Sequence, residues 1–196
     1  MSWQTAKIGA TCEVKRGTTI TEKQAQAGNV PVVAGGLTYS YTHNAANRDG
    51  KVITVSGSGA NAGYVNFWNQ PIFASDCSTI QSISDSVDIQ FIFYLLKSKQ
   101  QFINSTLRSG SAQPHVYAKD IAQMMMPLPP LEDQRRIAAI LDIFRLISNE
   151  SIICTIFLVV QIEARMPIKI CINLSLLCQV VLILNLMMVS IKNTSI

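Results

Sequence analysis

RSGSAQPHVYAKDIAQMMMPLPPLEDQRRIAAILD, residues 108–142, contains in order a polar loop, a short helix, an apolar strand, a proline hinge and the start of a long helix. Residues 109–114 hold too much Gly, Ser and Pro to be helical, which predicts a loop. Residues 117–123 have room for two helical turns, and residues 124–128 suit a short buried strand that Pro127, Pro129 and Pro130 bring to an end. A proline just inside a helix start is favourable, because its missing N–H would have been unbonded there. Glu132 and Asp133 fall in the first turn, where the positive end of the helix dipole favours carboxylates. Ile137, Ile140, Leu141 and Phe144 follow at offsets of three and four, the one-sided stripe of a helix that packs against a partner. A hinge that launches such a helix away from a domain is a device for joining parts.

Working back from that hinge, the chain reads as short strands with a few helices. Residues 3–11 form a lead-in with one helical turn, and residues 12–15 a strand broken by Arg16-Gly17. Thr21 or Glu22 opens a polar turn that ends near Gly28, and residues 30–34 are a second strand. Residues 37–50 show no sustained period and are expected to be a long loop, the place on a rigid domain where recognition tends to reside. Residues 51–55 and 64–67 are strands joined by a glycine-rich, hairpin-like turn. Residues 72–74 and 77–83 add two more. Ser86 or Asp88 then caps a helix whose buried stripe is Ile89, Ile92, Phe93, Leu96 and Ile103. Lys97 and Lys99 are assigned to its solvated outer side. The sum is an α+β domain.

With 196 residues the chain is long enough for one domain with a real core plus an appendage. A formal charge of +4 is mildly basic and comes without any Lys/Arg run, which excludes a histone-like tail. Up to Asp142 the cations only just outnumber the acids, so a nucleic-acid surface has to come from gathering cations on one face. Five cysteines with no CxxC pair argue against a disulfide framework, and MSWQTAKIG is not a signal peptide; both fit a cytoplasmic protein.

Nothing in the sequence spells out intrinsic catalysis. Gly57, Gly59 and Gly63 superficially resemble a nucleotide loop, but strand residues follow where a helix or a Lys-Ser/Thr pair is required. His43 and His115 lack neighbours at metal-ligand spacing, and Ser56 and Ser58 lack the GxSxG setting. Asp85 and Asp88 read as a loop residue and a helix cap. The Asn-Pro-Pro-aromatic motif that holds a flipped adenine is missing.

The segments GKVITVSGSGANAGYVNFWNQPIFASDCSTI (50–80) and GSAQPHVYAKDIAQMMMPLPPLEDQRRIAAIL (110–141) resemble the centre and the end of a target-recognition domain, with the start of its helical spacer, in the DNA-specificity subunit of type I restriction–modification enzymes. YVNFWNQPIFASDCSTI and PLPPLEDQRRIAAIL are the most specific parts, and the resemblance covers roughly residues 3–145. It implies a target-recognition domain over 1–128 and a coiled-coil-type spacer helix beginning in 129–148. It also implies a non-catalytic subunit that directs the complex to one half of a split double-stranded DNA site. Methyltransferase and restriction subunits are the implied protein partners, and S-adenosylmethionine, ATP and Mg are expected only on them, with no cofactor in this chain. Only one recognition domain is visible, so a truncated or half-length subunit is expected, able to pair with a second copy through Ile137, Ile140, Leu141 and Phe144. A protein-interaction module without DNA contact and a non-functional remnant stand as the alternatives.

Within that reading Lys15, Arg16, Arg48, Lys51 and Arg108 are the candidates to neutralise phosphates. Tyr39, His43, Asn44, Asn47, Asn61 and Gln113 carry donors and acceptors suited to base edges in the major groove. Each has a structural counterpart: the asparagines as turn residues, with Asn61 supplying a left-handed conformation, and Gln113 bonding loop backbone. Residues 149–196 depart from the family's charged helix and form an apolar tail interrupted by Pro167. Three readings of it stand open: an out-of-frame ending, a buried or partner-covered helical pair, or a membrane anchor at residues 174–191, for which the domain before it supplies no need.

Overall fold

The computed structural model describes residues 3–110 and 113–147. In chain order the elements are β1 (Thr5–Lys7), α1 (Ile8–Thr11), β2 (Cys12–Arg16), a 3-10 turn (Glu22–Gln24), β3 (Val30–Val33), β4 (Tyr41–His43), β5 (Lys51–Ser56), β6 (Val65–Asn69), β7 (Phe73–Ala74), β8 (Cys77–Ser82), α2 (Ile89–Ser98), α3 (Gln100–Phe102) with a π-type turn (Ile103–Leu107), α4 (Ala118–Gln123), β9 (Met125–Pro127) and α5 (Leu131–Ile147). The architecture is α+β. Its spine is an antiparallel sheet in the order β2-β8-β5-β6. A second sheet, β4-β3-β7, pairs β3 antiparallel to β4 and parallel to β7, and β1 pairs with β9.

The β-branched run KVITVS makes β5 the central strand, and its period of two sends alternate residues to opposite faces. Ile53 and Val55 pack with Ile80, Val65, Ile92, Phe93 and Leu96 in the main core under α2. Val52 joins Val33, Ile72, Ala74 and Cys77 in a smaller core, with Trp68 packed against it. Asp88 caps α2 as its sequence predicts, its carboxylate accepting the N–H groups of Gln90 (2.9 Å) and Phe91 (2.8 Å). The helix breaks at Lys99, yet Ile103 on the following turn is still fully buried.

The proline hinge is held by a buried polar side chain. Gln134, in the first turns of α5, is completely buried. Its Oε1 accepts the Asp88 N–H (2.9 Å), and its Nε2 donates to the carbonyls of Ser86 (3.1 Å) and Pro129 (2.8 Å). Ala138 is buried in the main core and Ile137 packs on its edge. One compact unit runs to Ala138, and a second begins at Ala139.

Several local expectations are corrected. Residues 37–50 are not all loop: Tyr41–His43 is β4, with Tyr41 opposite Val32, a strand too short to show a period and held by its ladder. Met126 is buried but Met125 is half exposed, so β9 alternates as a two-stranded edge does rather than lying wholly inside. Lys97 does not sit on a solvated face. Its ammonium donates to the Val65 carbonyl (2.9 Å) and lies 3.9 Å from the centre of the Tyr64 ring. Asn61 supplies no left-handed residue; Gly59 and Gly63 take the positive φ values of their turn, +80° and +88°. Among the described residues no helix is long and apolar enough to cross a membrane. The three readings of the apolar tail, including residues 174–191, fall outside the described residues.

Candidate nucleic-acid interface

At one end of the main sheet β2 finishes with Arg16 opposite Ser78, β5 finishes with Ser56 opposite Cys77, and β6 starts at Val65. The segments leaving these ends are bonded to one another. Gly57 N–H donates to the Asp76 carbonyl (3.0 Å), Gly59 N–H to the Pro114 carbonyl (3.1 Å) and Val116 N–H to the Gly57 carbonyl (3.0 Å). Ser109 and His115 exchange both backbone bonds, at 2.9 and 2.7 Å. The β3–β4 connection joins them: Ser56 Oγ donates to the Gly36 carbonyl (3.3 Å) and Asn66 Nδ2 to the Leu37 carbonyl (2.5 Å). Segments from residues 35–40 and 56–63, and residues 108–110 and 113–117, thus share one rim, carried by the sheet that fixes their spacing.

The rim sorts the candidate residues. Arg16 stands on it with its side chain 71% exposed, its nearest acid Asp76 Oδ1 at 4.0 Å. Tyr39 and Leu37 are half exposed at the tip of the 35–40 segment. Gln113 is exposed, and Asn61 half-buried in the glycine turn. Arg108 is on the rim but engaged: it donates to the carbonyls of Ala60 (3.0 Å) and Gly59 (3.3 Å), and its buried Nε has no acceptor among the described residues.

The others are held elsewhere. Arg48 gives Nε–H to Thr79 Oγ1 (2.8 Å), and its two terminal nitrogens to the carbonyls of Asn47 (2.7 Å) and Arg16 (3.2 Å). The Thr79 hydroxyl donates in turn to the Lys15 carbonyl (3.2 Å), so Arg48 clamps β2 to β8. Asn47 grips Ala74 through both its amide atoms, at 2.9 and 2.7 Å. His43 is buried, accepts the Gln26 N–H at Nδ1 (3.0 Å) and meets Phe73 edge-on. Asn44, exposed, donates to Gln26 Oε1 (2.8 Å). Lys15 pairs with Glu13 at 2.7 Å. Lys51 reaches Gln90 Oε1 (3.3 Å) at the opposite end of β5 from Ser56, about 17 Å along the strand at ~3.3 Å per residue. Of the helix residues, Ile137 and Leu141 are half-buried, and Ile140 and Phe144 are exposed.

Sequence reading did not assign Asp76, Ser58, His115, Tyr117 or Lys119 to the interface. Asp76 accepts a hydrogen bond from Ser58 Oγ at Oδ2 while facing Arg16 with Oδ1. His115 stacks on the half-exposed Tyr117, ring centres 6.1 Å apart, and Lys119 lies 5.6 Å from the same ring. A cavity of about 30 Å³ is lined by Arg16, Asp76, His115 and Tyr117, among others. Behind the rim, burial pushes the Cys77 thiol up to about 12. Burial also raises Cys12 and, with help from the charge of Glu22, Tyr41, whose hydroxyl donates to the Ile20 carbonyl (2.6 Å). No three His, Cys, Asp or Glu side chains among the described residues are grouped to hold a metal. What the rim offers instead is a cation, aromatic faces and directional polar groups on a rigid base, a set suited to phosphates and base edges.

Residues 1–154 match the profile of the type I restriction modification DNA specificity domain, which is most of the chain. The chain belongs to this family. Among specificity-domain relatives, it is 36% identical over 86 residues to the type I restriction enzyme MjaVIII specificity subunit of Methanocaldococcus jannaschii, covering 44% of this chain and 20% of that protein. It is 28% identical over 155 residues to the MpnII specificity subunit of Mycoplasma pneumoniae, covering 76% of this chain and 46% of that protein. The fold matches the crystal structure of a type I restriction–modification S subunit from M. genitalium with TM-score 0.65 at 20% identity, over 84% of this chain and 43% of that one. The specificity domain described here therefore spans less than half the length of these three relatives.

Proposed function

We propose that the chain is a sequence-specific DNA-binding subunit whose rim, built from residues 35–40, 56–63, 108–110 and 113–117, reads one half of a split duplex target. The observation that carries this is the rim itself: irregular segments from three distant parts of a specificity-domain chain, cross-bonded into one rigid edge with an exposed guanidinium on it. A rigid support for irregular segments is what base reading requires, because a mobile loop spends binding energy on becoming ordered. Phosphate contacts set register and affinity, and the polar and aromatic side chains on the rim discriminate between bases.

The subunit itself is non-catalytic in this proposal. Methyltransferase subunits, which bind S-adenosylmethionine, and a restriction subunit, which uses ATP and Mg, assemble through the helix that starts beyond Pro130, with Ile140 and Phe144 as exposed apolar contacts. The same stripe serves pairing with a second copy, and the complex works in the cytoplasm. The test is an equilibrium titration of random-sequence duplex DNA with the full chain at several salt concentrations. A linear fall of log affinity with log salt, with a slope of several units, is expected. No binding, or binding indifferent to salt, would refute it.

A further inference from the structure

We infer that Arg16 reads a guanine edge in the bound duplex, and that Asp76, buttressed by Ser58, is the positioning residue that aims its guanidinium. The inference rests on the DNA-binding reading and adds a chemical role to one residue pair. Among the described residues three arginines lie at or behind the rim; Arg48 has its donors committed internally, and Arg108 is half-buried and tied down by one terminal nitrogen, its Nε without an acceptor. Arg48 donates to Thr79, Asn47 and Arg16, and Arg108 to Gly59 and Ala60. Arg16 differs. Its backbone end is fixed, since its carbonyl accepts from Arg48 and the next two N–H groups donate to Cys77 (2.8 Å) and Ala74 (2.9 Å). Its head is 71% exposed.

The carboxylate beside that head gives the assignment its direction. An acid on a DNA-facing rim repels phosphates, and pairing it with the rim's free arginine cancels most of that arginine's value as a phosphate clamp. The same pair is well suited to orientation. Ser58 occupies Asp76 Oδ2, leaving Oδ1 turned to an Arg16 terminal nitrogen at 4.0 Å, an ion pair too long to be a hydrogen bond. The guanidinium is steered while its fork of N–H donors stays available. That fork matches the O6 and N7 acceptors of guanine in the major groove. The adjoining cavity of about 30 Å³ has room for roughly one water molecule, so the contact is made edge-on, with the base still stacked.

The experiment uses the full chain and the duplex it selects from a random pool, with each guanine replaced in turn by 7-deazaguanine, which lacks the N7 acceptor. One position is expected to weaken wild-type binding about tenfold, in line with a bidentate pair. Arg16→Ala should abolish that discrimination and Arg16→Lys should weaken it, the lysine variant keeping the wild-type salt slope. Asp76→Asn, which preserves shape, should reduce the discrimination several-fold with the melting temperature little changed, a result that a merely structural role would not give. Discrimination retained in Arg16→Ala, with only the salt slope reduced, would make Arg16 a phosphate contact and overturn the inference. Indifference of the wild type to every substitution would overturn it while leaving the DNA reading standing. No binding to any duplex would overturn both.

Discussion

Arg48 and Cys77 show how the chemistry of single side chains is spent behind the rim. Removing the Arg48 guanidinium leaves the Thr79 hydroxyl and the Asn47 and Arg16 carbonyls without their donor, so Arg48→Ala should lower stability by about 1–3 kcal/mol. Arg48→Lys should recover little of it, since one ammonium does not replace a planar fork. Thermal unfolding of the two variants checks this. Cys77 makes a prediction in pH. Burial, with a smaller contribution from the Asp76 charge, raises its thiol to about 12, above the ordinary ~8.5 of a free cysteine. The native state therefore holds this proton more tightly than the unfolded chain does. The stability it contributes is complete below the ordinary value and is lost as pH rises toward 12. Stability measured between pH 8 and pH 11 should fall, less steeply in Cys77→Ala, and native Cys77 should resist alkylation at pH 8 that the unfolded chain undergoes. At this scale the sequence was least informative. Arg48, Asn47 and His43 have the right groups for DNA contact, but whether a donor faces solvent depends on acceptors such as Thr79 and Ala74, dozens of residues away.

Among the elements, α5 starts where its sequence predicts, just after Pro130 with Glu132 and Asp133 in its first turn, but the expected stripe is only partly right: Gln134 and Ala138 are buried and Ile137 packs beside them, whereas Ile140 and Phe144 are exposed. Gln134 was legible too, had its register been followed. It lies three residues after Leu131 and four before Ala138, on the buried stripe, and only a polar residue with both donors and acceptors serves the N–H of Asp88 and the carbonyls of Ser86 and Pro129 together. Gln134→Leu should cost roughly 2–4 kcal/mol, because three backbone groups lose their partner. The check is the urea midpoint, and a shift equivalent to less than about 0.5 kcal/mol would show that the hinge is held by apolar packing alone. Strand β4 lay beyond sequence reading for the opposite reason: three residues carry no usable period, and its existence depends on the ladder to β3.

At the scale of the whole domain, the described residues up to Ala138 place their regular structure around two cores and much of their irregular structure on a rim. The α+β class followed from the strand and turn signals, because those signals are local. The composition of the rim did not, because it is assembled by cross-strand register, which puts Arg16 beside Ser78 and Ser56 beside Cys77. That register also gives the sheet a second end, with Lys51 opposite Asn69 and Cys12 opposite Ser82, which takes no part in the proposed contact. The most direct measurement is amide hydrogen exchange of the full chain with and without its selected duplex. The account predicts slowed exchange in residues 35–40, 56–63 and 108–117, with residues 49–51, 69–71 and 82–86 at the far end unchanged. Protection confined to the far end, with the three rim segments exchanging as in the free protein, would contradict it.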